Sequence, residues 1–151
     1  MNIFQNRMKA KHAGNQFEAL FERACQRQGL GILRIADGCR RLTQKKLIPV
    51  KQPCDWILAW NNKMALIDTK TLGYGNFTAS HVNHNQVDKM AVMSQFGVIG
   101  GFITWFRDKN KLSFFSVDQL HNLEPESSLK PEDGIDLGQI EDPQIKKIFE
   151  E

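Results

Sequence analysis

The chain has 151 residues, of which 41% are hydrophobic and 25% charged, the composition of one ordinary globular domain. No apolar run approaches the roughly 20 residues that span a bilayer, and no apolar stretch follows the basic N-terminal residues, so neither a membrane-spanning helix nor a secretory signal is expected. Cys25, Cys39 and Cys54 form no C-x-x-C pair, which favours a reducing, cytoplasmic location over a disulfide scaffold or a structural zinc site.

The net charge of +3 is the sum of two oppositely charged parts. Residues 1–117 carry 17 Lys and Arg against 7 Asp and Glu, a charge of +10, whereas residues 118–151 carry 3 against 10, a charge of −7. A basic body favours a polyanionic partner such as nucleic acid. The alternative is a basic surface that only keeps the protein soluble.

The hydrophobic pattern predicts elements in the order α-β-β-β-α-β-β. Residues 1–13 are predicted to form a flexible basic arm, and a first helix follows, with apolar side chains at i, i+3, i+4 and i+7: Phe17, Leu20, Phe21 and Ala24. The predicted strands are 31–36, 55–60, 63–70, 98–106 and 112–117. A second helix is predicted over 81–96, between Ser80 as its N-cap and Gly97.

Two further segments are predicted to lie outside the helices and strands of the domain. Residues 38–51 are predicted to be a basic loop, and residues 122–151 a peripheral acidic tail with a short terminal helix. The expected architecture is an α/β domain over residues 14–121, with a mixed sheet flanked by helices.

The two central strands carry the most informative pattern. If Asn61 and Asn62 form a two-residue hairpin turn, opposed residues have numbers that sum to 123, and Asp55 faces Asp68. Two carboxylates so placed repel each other, and alternation puts Lys70 on the same face as Asp68. A turn of another length would place the carboxylates on different faces.

A divalent cation would relieve this repulsion, and Mg²⁺ suits a site with one or two carboxylates, water and substrate phosphate. It would activate a water molecule for attack on phosphorus, and Lys70 could orient or deprotonate that water or stabilise the phosphate. The alternative is a solvated strand end in which Lys70 pairs with one aspartate.

Two helix residues are candidates for the same cluster. Glu18 lies at the edge of the buried stripe of the first helix and could supply a third carboxylate, although Asn15-x-x-Glu18 is also a capping-box pattern. Gln86 lies on the inward side of the second helix, where its amide could hold a water molecule or a phosphate oxygen, or could be a border residue with its own partners.

Other kinds of site have less support. His81 and His84 are three residues apart at a helix start, without an accompanying Cys or carboxylate pair, and are interpreted as helix-start or DNA-facing polar residues rather than metal ligands. No Ser/His/Asp or Cys/His set is present, and Cys54 is interpreted as a small buried residue. No G-x-x-x-x-G-K-[ST] or G-x-G-x-x-G loop occurs, so no nucleotide cofactor is expected.

These residues resemble a known motif. Pro53-Cys-Asp55, twelve intervening residues and Asp68-Thr-Lys70 resemble the motif of the PD-(D/E)XK nuclease superfamily, whose restriction-endonuclease-like core has the order α-β-β-β-α-β. Further segments, between residues 14 and 120, resemble the RecU-type Holliday junction resolvases: Lys51-Gln-Pro53, Asn83-His-Asn-Gln86-Val-Asp-Lys-Met90 and Gln95-Phe-Gly97.

The resemblance implies a Mg²⁺-dependent, homodimeric endonuclease, with Mn²⁺ as a substitute metal, that nicks two strands of a four-way DNA junction in recombination and repair. It implies that Asp55 and Asp68 are metal ligands and Lys70 the catalytic lysine. Glu18 matches the acid of the first helix, and Gln86 the glutamine of the second.

The sequence departs from this family at four points. Asp68 stands where Glu is common, and Cys54 where a hydroxyl residue is expected. The segment that forms a stalk in the family is shortened to residues 38–51, and the acidic tail has no counterpart. These departures are compatible with a compact bacterial or phage-encoded relative.

Two alternatives remain open: a nuclease of the same fold that cuts flaps, single strands or duplex DNA, and a non-catalytic DNA-binding module. In each case the basic loop is the predicted DNA contact. Its candidate residues are Arg40, Arg41, Lys45, Lys46 and Lys51.

Overall fold

The structure, a computed structural model, describes residues 3–35, 38–43, 46–50 and 52–150, with side chains for 9–35 and 52–150. Its α-helices are α1 (Ile3–Arg27), α2 (His84–Ser94) and α3 (Val117–His121). Its strands are β1 (Gly31–Arg34), β2 (Gly38–Thr43), β3 (Lys46–Val50), β4 (Trp56–Trp60), β5 (Lys63–Leu72), β6 (Phe77–Thr78), β7 (Ile99–Phe106), β8 (Lys111–Ser116), β9 (Ser128–Leu129) and β10 (Ile135–Gly138). Single 3₁₀ turns cover Ala79–His81, Pro131–Asp133 and Ile145–Phe149. Within these residues, no helix is both long and apolar enough to cross a bilayer.

The main sheet has six strands in the order β1-β4-β5-β7-β8-β10. β5 and β7 are parallel, and every other neighbouring pair is antiparallel. The predicted mixed sheet is therefore confirmed. Its first four strands, taken with α1 and α2, also reproduce the predicted chain order α-β-β-β-α-β, with the β2-β3 hairpin inserted after β1.

Helix α1 covers one face of the sheet with the predicted apolar stripe, in which Phe17 and Phe21 are buried. The helix begins at Ile3, so residues 3–13, which the sequence analysis assigned to a flexible arm, are helical. This segment has few apolar anchors, but Met, Lys, Arg, Gln and Ala are good helix formers, and Ala13 is already buried. Because Asn15 lies inside the helix, it does not cap it.

Helix α2 covers the other face and begins three residues after the predicted start. The side chain of Asn83 caps it by accepting hydrogen bonds from the backbone N–H groups of Asn85 and Gln86, whereas Ser80 lies in the preceding 3₁₀ turn. Close packing of this helix depends on Gly100 in β7, where a Cβ atom would lie 3.0 Å from the Cβ atom of Met90. The helix is thereby held directly over β7, beside β5.

The β4-β5 hairpin has the predicted register. Trp60 pairs with Lys63 and Trp56 with Ile67, so that opposed numbers sum to 123. Asn61 and Asn62 form the turn with φ values of 51° and 60°, the left-handed pair that a type I′ turn requires and that asparagine tolerates.

Residues 38–50 differ from the predicted basic loop. β2 and β3 form a separate antiparallel hairpin in which Gly38 pairs with Val50 and Arg40 with Ile48. The charged residues between the apolar ones obscure the strand pattern in the sequence, because a two-stranded ribbon needs no continuous buried face.

The C-terminal segment is not a peripheral tail. β10 is the sixth strand of the main sheet, and the segment contributes five buried side chains to the same core as α1: Leu137, Ile140, Ile145, Ile148 and Phe149. Phe149 packs against Trp60, and its carbonyl accepts a 2.7 Å hydrogen bond from Lys63 Nζ. The domain therefore extends past residue 121, and the expected terminal helix is the 3₁₀ turn Ile145–Phe149.

Candidate active site

The two aspartates predicted to face each other lie at the end of the β4-β5 hairpin. Asp68 is in β5 and is buried, with 2% of its surface exposed. Asp55 directly precedes β4, and its N–H donates to the carbonyl of Ile67 at 3.1 Å. The register of the hairpin thus continues to Asp55 and Asp68, and the charge of Asp55 raises the pKa of the Asp68 carboxyl.

Thr69 fixes the orientation of Asp55. Its backbone N–H and its hydroxyl both donate to Asp55 Oδ2, at 3.1 and 3.2 Å. The indole Nε1 of Trp56 lies 3.4 Å from the same hydroxyl oxygen and donates to it. Sequence reasoning missed Thr69, because strand alternation places it on the face opposite Asp68. The feature of the sequence that could have indicated this role is the position of Thr69, a hydroxyl residue, next to the strand end that carries the carboxylates.

Asp68 has a different set of partners. Lys70 Nζ lies 3.4 Å from Asp68 Oδ2, and Gln86 Nε2 donates to Asp68 Oδ1 at 3.2 Å. Gln86 also donates to the carbonyl of Gln52 at 3.4 Å, which ties α2 to the segment before β4. The structure therefore brings together the four predicted residues Asp55, Asp68, Lys70 and Gln86, with Gln86 in contact with a carboxylate.

The electrostatic balance of the cluster is negative. The pKa of Asp68 is raised from 3.8 to about 7, first by burial and then by the charge of Asp55, while Lys70 opposes the shift. Cys54, which is buried as predicted, has its thiol pKa raised to about 11, first by burial and then by the two carboxylates. One ammonium group thus does not balance the two acids.

The donor set fits a hard divalent cation. Two neighbouring carboxylates supply oxygen ligands, and their negative charge is only partly neutralised by Lys70. Mg²⁺ binds to such a pair when water and a substrate phosphate complete its coordination shell. Among the described residues, no group of three or more His, Cys, Asp and Glu side chains is placed to hold a metal ion. Within the described part of the chain, a metal site here would therefore have the carboxylates of Asp55 and Asp68 without a third one.

Glu18 is not part of this cluster. Its carboxylate accepts a 2.8 Å hydrogen bond from Arg34 Nη2 in β1, and the Arg34 guanidinium lies 5.3 Å from the ring centre of Trp56. The predicted role as a metal ligand and the alternative role as a helix cap are both replaced by this ion pair. Its cause is tertiary: Arg34 on the edge strand β1 lies beside α1 and offers a charged partner.

The predicted DNA-contact residues are only partly described. Arg40 and Arg41 lie in β2 and Lys46 in β3, whereas Lys45 and Lys51 lie outside the described residues. The basic segment is therefore a hairpin rather than a loop, and its role in DNA contact stays a prediction.

The two histidines interpreted as helix-start or DNA-facing residues line an open cleft of about 490 Å³ next to the cluster. The cleft is lined by Lys70 of β5 and by residues that precede or begin α2, among them Ser80, His81, Asn83 and His84. The cleft is thus continuous with the carboxylate site through Lys70.

Comparison with known proteins identifies the fold. No family model matches the sequence, and no curated protein matches it. A similar solved structure is that of Hjc, a Holliday junction resolvase from the archaeal hyperthermophile Archaeoglobus fulgidus. It has a TM-score of 0.56 and 15% sequence identity over 80% of this chain and 90% of that chain. Together with the six-stranded mixed sheet flanked by helices, this match shows a restriction-endonuclease-like fold.

Proposed function

We propose that the protein is a Mg²⁺-dependent endonuclease that hydrolyses phosphodiester bonds in four-way DNA junctions, in recombination and repair. The proposal rests on one observation: the buried Asp68 beside the half-buried Asp55, with Lys70 Nζ 3.4 Å from Asp68, on a fold shared with a Holliday junction resolvase. A purely DNA-binding surface gains nothing from two adjacent carboxylates, because they repel phosphate.

Each residue of the cluster has a distinct part in this reaction. Asp55 and Asp68 would hold the metal ion, with Mn²⁺ as a substitute, and Gln86 keeps Asp68 oriented through its 3.2 Å hydrogen bond. When bound, Mg²⁺ supplies an activated water molecule and neutralises charge on the phosphate. Lys70 is one-third exposed beside the open cleft, so its ammonium group can reach a phosphate oxygen while its stem remains packed.

The same proposal includes a homodimer. Two symmetric nicks across a junction require two active sites related by a two-fold axis, and a single chain supplies one carboxylate pair. The mass in solution, measured by light scattering with and without junction DNA, should correspond to two chains. A monomer on the DNA would contradict this part of the proposal.

Cleavage of a labelled four-way junction, beside a linear duplex of the same sequence, tests the reaction. Paired nicks in the junction alone, in Mg²⁺ or Mn²⁺ but not in EDTA, are expected. Asp68→Ala and Lys70→Ala should each lower the rate by at least about a thousandfold and leave DNA affinity within about threefold. The matched controls Asp108→Ala and Lys109→Ala alter exposed residues of the β7-β8 turn and should cleave normally.

Three outcomes would change this conclusion. Cutting of junction and duplex alike would retain the nuclease and exclude junction specificity. Binding without cutting in both metals would favour a non-catalytic DNA-binding module. Normal cleavage by either active-site variant would place the chemistry elsewhere.

The β2-β3 hairpin is proposed as the surface that contacts DNA. Neutralising Arg40, Arg41, Lys45 and Lys46 together should reduce the slope of log affinity against log salt by up to about four, because each phosphate contact releases a counterion. An unchanged slope would move the contact surface to another part of the protein.

A further inference from the structure

The cleft beside Lys70 carries an inference that rests on the proposed nuclease function and extends it. It lies between the second half of β5 and the 3₁₀ turn that precedes α2. Among the described residues that line it there is one lysine and no carboxylate, whereas the adjoining cluster holds two. Two adjacent sites of opposite chemistry suit a metal ion in one and an anion in the other.

His81 is held rigidly in the wall of this cleft. Its Nδ1 accepts a 3.0 Å hydrogen bond from the backbone N–H of Thr78, and the Thr78 hydroxyl lies 3.1 Å from the same nitrogen. The ring packs against the fully buried Phe77, with ring centres 5.4 Å apart. The imidazole thus has a fixed position as well as a fixed hydrogen-bonding pattern.

The Thr78 hydrogen bond also fixes where the imidazole carries its proton. A backbone N–H can only donate, so Nδ1 is the acceptor and the neutral ring carries its proton on Nε2. No partner within the described part of the chain takes up that Nε2–H. His81 therefore presents one pre-oriented donor in a cleft that it shares with Lys70.

Two other polar side chains of the cleft are committed within the fold, whereas those of His84 and Asn85, which also line it, are exposed. The side chain of Asn83 caps α2, and the Ser80 hydroxyl is hydrogen bonded to that of Thr78 at 2.7 Å. Among the lining groups, His81 Nε2 is the donor that a hydrogen bond and ring packing hold in place, and Lys70 Nζ is the cation. We propose that this cleft binds a backbone phosphate of the DNA strand next to the phosphodiester bond that is cut, with His81 as the donor that positions it.

Substitutions of His81 separate this role from a structural one. In His81→Asn, the amide oxygen can still accept from Thr78 N–H, but the Nε2–H donor is lost. In His81→Gln, the longer side chain returns an N–H group near the Nε2 position. His121→Asn is the matched control, because this exposed histidine on α3 is outside the cleft.

We expect His81→Asn to raise KM for junction DNA by about tenfold or more and to leave kcat within about threefold of the wild type. The reason is that the variant loses one hydrogen bond to a charged group. His81→Gln should restore most of the affinity, and His121→Asn should match the wild type. All three variants should unfold at the wild-type denaturant midpoint. A wild-type KM in His81→Asn, or no rescue by His81→Gln, would overturn the proposal.

Replacing single backbone phosphates of the DNA with an uncharged methylphosphonate tests whether His81 contacts a phosphate. In a series of substrates, a single methylphosphonate is placed at successive positions beside the cleaved bond. At one of these positions it should lower the affinity of the wild type for the substrate but leave the affinity of His81→Asn unchanged. Equal sensitivity of the two proteins at every position would exclude a phosphate contact by His81.

A measurement without catalysis keeps the inference distinct from the proposed reaction. Long-range ¹H–¹⁵N NMR spectra of the metal-free protein should show His81 protonated on Nε2, and inorganic phosphate should shift its signals but not those of His121. If the protein cuts no DNA and these shifts occur, the nuclease proposal fails and the anion site stands. Protonation on Nδ1, or no response to phosphate, overturns the anion site in either case.

Discussion

Replacing Thr69 with valine tests whether the orientation of Asp55 is built into the fold. The Thr69 hydroxyl donates to Asp55 Oδ2 at 3.2 Å and accepts from Trp56 Nε1 at 3.4 Å, and valine removes both bonds with little change in shape. The backbone bond from Thr69 N–H to the same carboxylate oxygen, 3.1 Å long, remains. Asp55 would therefore keep one of its two anchors.

The expected cost follows from these contacts. A hydrogen bond to a charged acceptor contributes about 1.5–3 kcal/mol, and a buried N–H left without an acceptor costs about 1–3 kcal/mol. Since Trp56 is 1% exposed, its indole N–H has little access to water. The total cost is smaller than the sum of these two contributions, because the backbone bond to Asp55 is retained and the indole hydrogen bond is long. We therefore expect Thr69→Val to lower the free energy of unfolding by about 2 kcal/mol.

The same change should slow cleavage. If the loss of Asp55 orientation raises the free energy of the transition state by about 2 kcal/mol, the rate at saturating substrate falls about 30-fold. DNA affinity should be unchanged, because Thr69 orients Asp55 without contacting DNA. Urea unfolding and single-turnover cleavage of a junction measure the two effects. Thr69→Ser, which retains the hydroxyl, is the control. The reasoning is refuted if Thr69→Val cleaves as fast as Thr69→Ser and unfolds within about 0.5 kcal/mol of it.

Three further predictions concern the core and its buried ionisable groups. Ending the chain after His121 removes a strand of the main sheet and the five side chains that this segment buries in the core beneath α1, so this variant should not give a cooperative unfolding transition by circular dichroism, and a folded fragment would contradict the placement of that segment. The folded-state pKa of Asp68, about 7, lies above its usual 3.8, so its contribution to stability is complete below pH 4 and is lost as pH rises through 7. In EDTA, Asp68→Asn should therefore be more stable than the wild type at pH 8 by up to about 4 kcal/mol but not at pH 4; equal stability at both pH values would contradict the shift. In a Cys39→Ser background, Cys25 and Cys54, with pKa values raised to about 12 and about 11, should react with iodoacetamide at pH 8 only after denaturation, and rapid labelling of native protein would show them to be accessible.

The hairpin that carries the site could be predicted because its information is local. Asn61 and Asn62 accept the left-handed conformation, and a two-residue turn leaves one register, so pairing along β4 and β5 follows from residue numbers alone. The proximity of Asp55, Asp68 and Lys70 is a consequence of that register. Gln86 was predictable for a similar reason, since helical periodicity indicated the face of α2 that meets the sheet.

The partners of these residues could not be predicted, because they come from elements distant in the sequence. Glu18 could have been a third carboxylate or a cap, and only the position of Arg34 on β1 decided that it forms an ion pair. Thr69 was excluded by strand alternation, yet Asp55 lies just outside β4, where the regular pleat ends, and its carboxylate can reach the Thr69 hydroxyl.

The C-terminal segment shows the same division between local and distant information. Its acidic residues indicated a solvated tail, but its apolar side chains are buried against α1, more than a hundred positions earlier in the chain, and against Trp60 of β4. The sequence by itself determined the two helices that flank the sheet, the central hairpin and the pairing of the two aspartates, since these depend on turn chemistry and periodicity. Only the tertiary structure decided which charges meet and which end of the chain completes the core, because burial and ion pairing depend on surfaces that exist only after the elements have packed.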